Sequence, residues 1–320
     1  MIETFLATVS PMLIMFVCML IGFALRKCNL LPSDAAAVMS KLESYVFVPA
    51  LSFHTFMTYC NVDSIRENYK FVLFSVVGLA VSVLMAIPLS YFFIKRGGDY
   101  YSRNIYKYAL TFGNFGFMGN AIVPAILGGI YGGDVLYKYM LFTLPLNLMV
   151  YSWGVILMIP KSDNKSGVLK NLANPIFIAI VLGALCGITG LTDKLPALVT
   201  TTVGYFKDCM TPVAMLLTGF VIGGYSLKDM FCNKKIYLAT ALRLILQPTV
   251  IIAVLILLKA PPLVTLMALF AYATPMGINT VIFPSAYGGD ASTGASMATV
   301  SHTIGTLTIP LMYAFVSMIL

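Results

Sequence analysis

The sequence predicts an all-α integral membrane protein of about ten transmembrane helices in two inverted five-helix repeats, and three observations carry that reading. Apolar stretches long enough to cross about 30 Å of hydrocarbon recur along the whole chain. Charged residues are 10% and hydrophobic residues 59% of 320, with a mean hydropathy of +0.91. A soluble domain carries about 25% charged residues, because its surface must face water. Finally, the apolar stretches least suited to a helix fall at matching places in the two halves.

The stretches are read at 4–25, 36–59, 71–94, 105–128, 135–158, 174–190, 197–224, 236–258, 262–286 and 292–319. They divide the chain into a first five-helix repeat over 1–160, a central loop over 161–173 and a second repeat over 174–320. The longest polar connection, Lys161 to Asn174, lies between the halves, and little is left for a soluble domain. The first stretch does not read as a cleavable signal, because it carries Glu3, lacks a basic leader and is followed by Arg26-Lys27. Outside the stretches the odd-numbered loops hold 12 Lys and Arg and the even-numbered loops 5, with Lys107 and Lys138 counted in the adjacent loops. The ninth loop contributes none. Basic loops stay in the cytoplasm, so the central loop is expected inside a cell membrane and both termini outside.

Met118-Gly119 and Met276-Gly277 lie 158 residues apart, about half the chain. Each is followed by a turn motif, Tyr131-Gly132-Gly133-Asp134 and Tyr287-Gly288-Gly289-Asp290. Two halves with five crossings each must run in opposite directions, the plan of many secondary transporters. Asp134 and Asp290, after paired glycines, read as turn residues.

The fourth stretch contains Gly113, Asn114, Gly116, Gly119, Asn120 and Pro124. Its three glycines and one proline cost about 6 kcal/mol of helix propensity relative to alanine. The ninth contains Pro275, Gly277, Asn279 and Pro284, at about 7 kcal/mol. Backbone opened within a bilayer must be satisfied inside protein or beside water. Opened helices present half-helix N-termini whose free N–H groups suit a carboxylate. The side chains of Asn114, Asn120 and Asn279 can donate and accept without a buried charge. One such helix is as well explained by close packing at glycine; two in matching positions point to a substrate site.

Ionisable residues inside spans are candidates for coupling or gating. Glu43 lies six residues before Pro49 in the second stretch and Asp208 four before Pro212 in the seventh, with Lys41 and Lys207 beside them. Each reads as a proton site or latch, or as an ion pair near a span end with a snorkelling lysine. Arg243 and Gln247 are one turn apart before Pro248; Arg243 either attracts an anion or holds carbonyls and headgroups. His302 either titrates near physiological pH or sits neutral and hydrogen-bonded. His54, near the outer end of its stretch, is the weakest candidate.

The formal charge of +8 comes without any basic run, so nucleic acid is not an expected partner. Cys18, Cys28, Cys60, Cys186, Cys209 and Cys232 form no C-x-x-C pair and read as packing residues. No metal and no cofactor are expected. An intramembrane enzyme is the rival from a different class, yet neither H-E-x-x-H nor G-x-S-x-G occurs. A channel would show a repeated filter or a ring of like charges. A seven-helix receptor disagrees with the span count and the repeat.

The run Gly113-Asn114-Phe115-Gly116-Phe117-Met118-Gly119 resembles the fourth-helix motif of the auxin efflux carrier family. Pro275-Met276-Gly277-Ile278-Asn279-Thr280 is similar to its ninth-helix motif. Val48-Pro49-Ala50-Leu51-Ser52-Phe53-His54, Asn174-Pro175 and Thr308-Ile309-Pro310 fit as well, so the resemblance covers essentially the whole chain. It implies a fold like that of bile-acid symporters, with broken fourth and ninth helices crossing at the substrate site. On this resemblance Asn114, Gly116, Met118, Gly119, Asn120, Pro275, Gly277, Asn279 and Thr280 are the substrate-binding candidates. The implied activity is export of small organic anions, auxin in plants and malate- or malonate-like acids in bacterial members. The short central loop favours the bacterial type. The chain departs from the family pattern at Asn120-Ala121, where a proline is usual, and at Ser301-His302, where Ser-Thr is common. Uniport, proton coupling and sodium coupling stay open, as does a homodimer.

Overall fold

The structure is a computed structural model that describes residues 2–159, 174–226, 233–286 and 289–320. The central loop, with Lys161, Lys165 and Lys170, lies outside the described residues, as do Lys228, Cys232 and Tyr287-Gly288 of the second turn motif. Helices fall on each of the ten apolar stretches, and the described residues form no strand. Among the described residues six helical runs are long and apolar enough to cross a membrane: Val9–Lys27, Val62–Phe93, Val135–Met158, Ala197–Gly223, Lys234–Leu257 and Ser292–Ile319. Phe115–Tyr131, Pro175–Thr189 and Pro262–Tyr272 are shorter apolar helices. We number the helices first to tenth after the apolar stretches.

Local chemistry sets several boundaries. The third helix (Val62–Phe93) starts nine residues before the apolar stretch read at 71–94, because Asn61 caps it. The Asn61 side chain accepts from the Ser64 N–H at 2.7 Å, and Ser64 Oγ accepts from the Asn61 N–H at 2.8 Å. This reciprocal cap satisfies two free donors and supports a polar first turn that hydropathy alone overlooks. The sixth helix (Pro175–Thr189) opens on Asn174, whose side chain accepts from the Ile176 N–H at 3.0 Å. Pro175 follows in the first turn, where its missing N–H costs nothing.

The second helix runs as Ala35–Leu42, a π-helical turn Glu43–Phe47, and Val48–Tyr59. The eighth repeats the device as Lys234–Ala241, Leu242–Leu246 and Gln247–Leu257. In both, the widened turn precedes a proline, Pro49 and Pro248. A proline ring crowds the carbonyl four residues earlier and offers it no N–H, so the turn loosens. Glu43 and Arg243 ride on these two loosened turns.

The first helix (Ile2–Lys27) packs along the seventh (Ala197–Gly223), and the second along the sixth. Both seams are built on glycines four residues apart. A Cβ at Gly219 would strike the Met19 carbonyl, and one at Gly223 would meet Arg26 and Phe23. A Cβ at Gly183 would strike the Phe53 carbonyl and one at Gly187 the Cys60 carbonyl. Lipid tails give apolar helices no reason to associate, so close backbone contact at small residues holds such seams. Outward faces carry Ile14, Leu84, Leu198 and Leu257, all exposed.

Candidate functional site

The fourth and ninth helices are interrupted. The fourth is Tyr100–Thr111, an irregular 112–114, a π-helical turn Phe115–Gly119 and Asn120–Tyr131. The ninth is Pro262–Tyr272, an irregular 273–278 and Asn279–Ala286. The two breaks meet backbone to backbone in an antiparallel bridge between Gly113 and Met276. The Asn114 N–H donates to the Pro275 carbonyl at 2.7 Å, and the Gly277 N–H to the Phe112 carbonyl at 3.4 Å. Each opened segment thus satisfies the other, as buried irregular backbone must. The Ser301 hydroxyl on the tenth helix (Ser292–Ile319) accepts from the Met276 N–H at 3.0 Å.

A small cavity of about 50 Å³ lies against this crossing. Asn114, Gly116, Asn120, Gly277 and Asn279 are in its wall, together with Ser44, Ser52, Thr143, Asn147 and Tyr151. None of its lining side chains is charged. The remaining four candidates build the crossing instead of facing the cavity. Met118 is core, and Gly119 lets Tyr139 approach, its hydroxyl donating to the Phe115 carbonyl at 3.1 Å. Pro275 packs on Gly305, and the buried Thr280 hydroxyl donates to the Gly277 carbonyl at 2.9 Å.

Asn114 is held by His302. The His302 Nδ1 lies 2.7 Å from the Ala298 carbonyl, which can only accept, so Nδ1 carries the proton. Nε2 is therefore an acceptor and takes a hydrogen bond from Asn114 Nδ2 at 3.0 Å. Asn114 Nδ2 carries a second hydrogen, and the side chain is in the wall of the cavity. The Asn279 side chain lies close to the Tyr108 hydroxyl.

Beside this cavity opens a vestibule of about 880 Å³. It shares Ser44 and Tyr151 with the small cavity, and its wall includes Arg26, Asp34, Lys41, Asn174, Tyr225 and Phe283. Phe283 stands edge-on to both Tyr108 and Tyr151, with ring centroids at 6.1 and 6.5 Å. Of these rings Tyr151 lines both spaces and Phe283 the wide one.

The coupling candidates are dispersed. Glu43 is fully buried, and neither carboxylate oxygen has a hydrogen-bond partner among the described residues. Its turn packs on the sixth and seventh helices, whose titratable groups Cys186, Tyr205, Lys207, Asp208 and Cys209 make no bond to it, nor do Lys41 and Tyr45 on its own helix. Asp208 sits on an outer face, 71% exposed, and pairs with Lys207 at 2.7 Å. His54 lies near that pair. Arg243 is wholly buried beneath the crossing and faces neither cavity.

Sequence reading missed Ser44, Ser52, Thr143, Asn147 and Tyr151. Their signal was present as helical stripes, Ser44 and Ser52 eight residues apart and Thr143, Asn147 and Tyr151 each four apart.

Long apolar helices enclosing an uncharged polar cavity, at a crossing of interrupted helices below a wide vestibule, define a membrane transport protein. A family model described as membrane transport protein matches residues 7–313. The chain belongs to that family, the one its fourth- and ninth-helix motifs resemble, that of the auxin efflux carriers. It is 22% identical over 245 residues to an uncharacterized transporter of Methanothermobacter thermautotrophicus, covering 76% of this chain and 77% of that one.

Proposed function

We propose that the chain is a secondary transporter that exports small organic anions, carboxylates in particular, by alternating access around the crossing of the fourth and ninth helices. The observation that carries this reading is the meeting of Asn114 and Asn279 in one uncharged cavity at two mutually bonded helix breaks. Amide groups and half-helix N-termini hold an anion without a buried counter-charge, so release stays easy. At about 50 Å³ the cavity at the crossing is far narrower than the vestibule beside it. The vestibule has room for an organic acid and offers Arg26 and Lys41 in its wall.

We read the ten helices as two inverted halves. The packing supports this: exchanging the halves turns the contact of the first with the seventh helix into that of the sixth with the second. With the basic loops in the cytoplasm, both termini lie outside and the vestibule opens inward, where an exporter loads. A membrane potential of 100 mV drives each negative charge outward by about 2.3 kcal/mol. A C-terminal tag should accordingly be cleaved by protease on intact spheroplasts; cleavage only in inverted vesicles reverses the orientation.

The unpartnered Glu43 favours a second reading, in which a proton accompanies the anion. Purified protein in liposomes should carry labelled carboxylates down their gradient. If Glu43 carries the proton, Glu43→Gln flattens the pH dependence of that flux while keeping expression. An unchanged profile removes Glu43 as the proton carrier.

A further inference from the structure

We infer that Arg243 is a resident cation that pins the C-terminal ends of the two half-helices that stop at the crossing, and so positions the breaks that form the cavity. The inference rests on the crossing being the transport site.

The last carbonyls of a helix lack N–H partners and carry the negative end of its dipole. Two such ends meet here, those of Tyr100–Thr111 and Pro262–Tyr272. Arg243 Nη1 donates to the Leu110 and Thr111 carbonyls at 3.1 and 3.2 Å, and Nη2 to the Ala271 carbonyl at 3.5 Å. Nη1 also donates to Gln247 Oε1 at 2.9 Å. The Gln247 amide in turn donates to Ser82 Oγ at 2.6 Å, and the Ser82 hydroxyl to the Thr111 carbonyl at 3.0 Å. No acidic side chain pairs with Arg243 among the described residues. The carbonyls are its counter-charge.

A second observation is independent of these bonds. A Cβ at Gly113, the bridge residue, would run into Arg243 Nη2. The break therefore keeps open the space that the guanidinium fills. Broken-helix transporters place an exchangeable cation at opened carbonyls and half-helix C-termini. In this chain a covalently attached cation is already seated among such carbonyls.

The bland alternative is an arginine that only fills space. Replacing buried charges by apolar groups of similar volume is often neutral or stabilising, so the two readings part sharply. The test compares Arg243→Met, which keeps bulk, with Arg243→Lys, which keeps charge, and Arg243→Ala, which empties the site. Thermal unfolding of each purified protein is measured with and without millimolar guanidinium chloride or sodium chloride, alongside flux in liposomes. Arg243→Lys should unfold at a higher temperature than Arg243→Met. Guanidinium should raise the unfolding temperature of Arg243→Ala by binding the native state, with no rise in wild type. Flux of Arg243→Ala should fall at least about tenfold, the loss of one charged hydrogen bond, and recover in part with guanidinium. Arg243→Met as stable and active as wild type overturns the inference, as does an Arg243→Ala protein that folds but gains nothing from either cation. If Arg243→Ala does not fold, the order of Lys and Met decides. Should wild type itself carry no organic anion, the transport reading fails while the unfolding data still decide the role of Arg243.

Discussion

Asn114→Ala and Asn279→Ala are each expected to weaken carboxylate binding by roughly 10- to 100-fold with the fold largely kept. The magnitude follows from losing one donor to a charged ligand, about 1.5–3 kcal/mol. Asn114 Nδ2 has two hydrogens, and His302 Nε2 accepts one at 3.0 Å, which orients the amide toward the cavity it lines. Asn279 begins the second half of the ninth helix and lines the same cavity, with the Tyr108 hydroxyl close by. Neither backbone changes in the alanine variants, so the Gly113–Met276 bridge stays intact. Titration of a carboxylate into purified variants, followed by calorimetry, reads the effect. Wild-type affinity in a folded double variant would refute the site.

Gly113→Ala is expected to lower both stability and transport, because the added methyl falls on the bridge between the two breaks. Its Cβ would meet Arg243 Nη2, lie 2.6 Å from Thr274 Oγ1 and 2.9 Å from the Thr274 carbonyl. None of these is the free end of a flexible side chain: the carbonyl is backbone, and the other two groups are held by hydrogen bonds to Ala271. Overpacking of this kind costs typically about 1–3 kcal/mol, and here it falls on the bridge that satisfies both breaks. Gly128→Ala is the control, because nothing lies within 4 Å of a Cβ there and the helix gains up to about 1 kcal/mol of propensity. Unfolding temperature and flux should both drop for Gly113→Ala and hold for Gly128→Ala. A Gly113→Ala protein with unaltered stability would mean that the two breaks do not depend on their close approach.

The helical character and the two interruptions were legible in the sequence, because glycine, proline and asparagine weaken helices by mechanisms that act within a few residues. Thus 112–114 and 273–278 open where Gly113 and Pro275-Gly277 stand. The start of the third helix was not legible from hydropathy, since Asn61 and Ser64 cap a polar beginning that holds Asp63, Arg66 and Glu67. Nor was the fate of the charged residues. Whether Arg243 meets a ligand or a carbonyl depends on which helix ends converge around it, a tertiary fact. Asp208 and Glu43 looked alike in sequence, each near a lysine and a proline. Packing separates them, with Asp208 on an outer face paired to Lys207 and Glu43 buried without a partner. The glycine pairs Gly183/Gly187 and Gly219/Gly223 were readable as close-packing motifs, although the sequence does not say which helix each one meets.

The most direct test of the crossing as an anion site is counterflow in liposomes containing the purified protein. Vesicles loaded with an unlabelled carboxylate are diluted into a trace of the labelled acid, with the membrane potential clamped at zero. The account predicts transient accumulation of label by wild type, reduced about tenfold or more in the Asn114→Ala/Asn279→Ala double variant. Equal accumulation by the two proteins, or none by wild type above protein-free vesicles for any carboxylate tried, would contradict it.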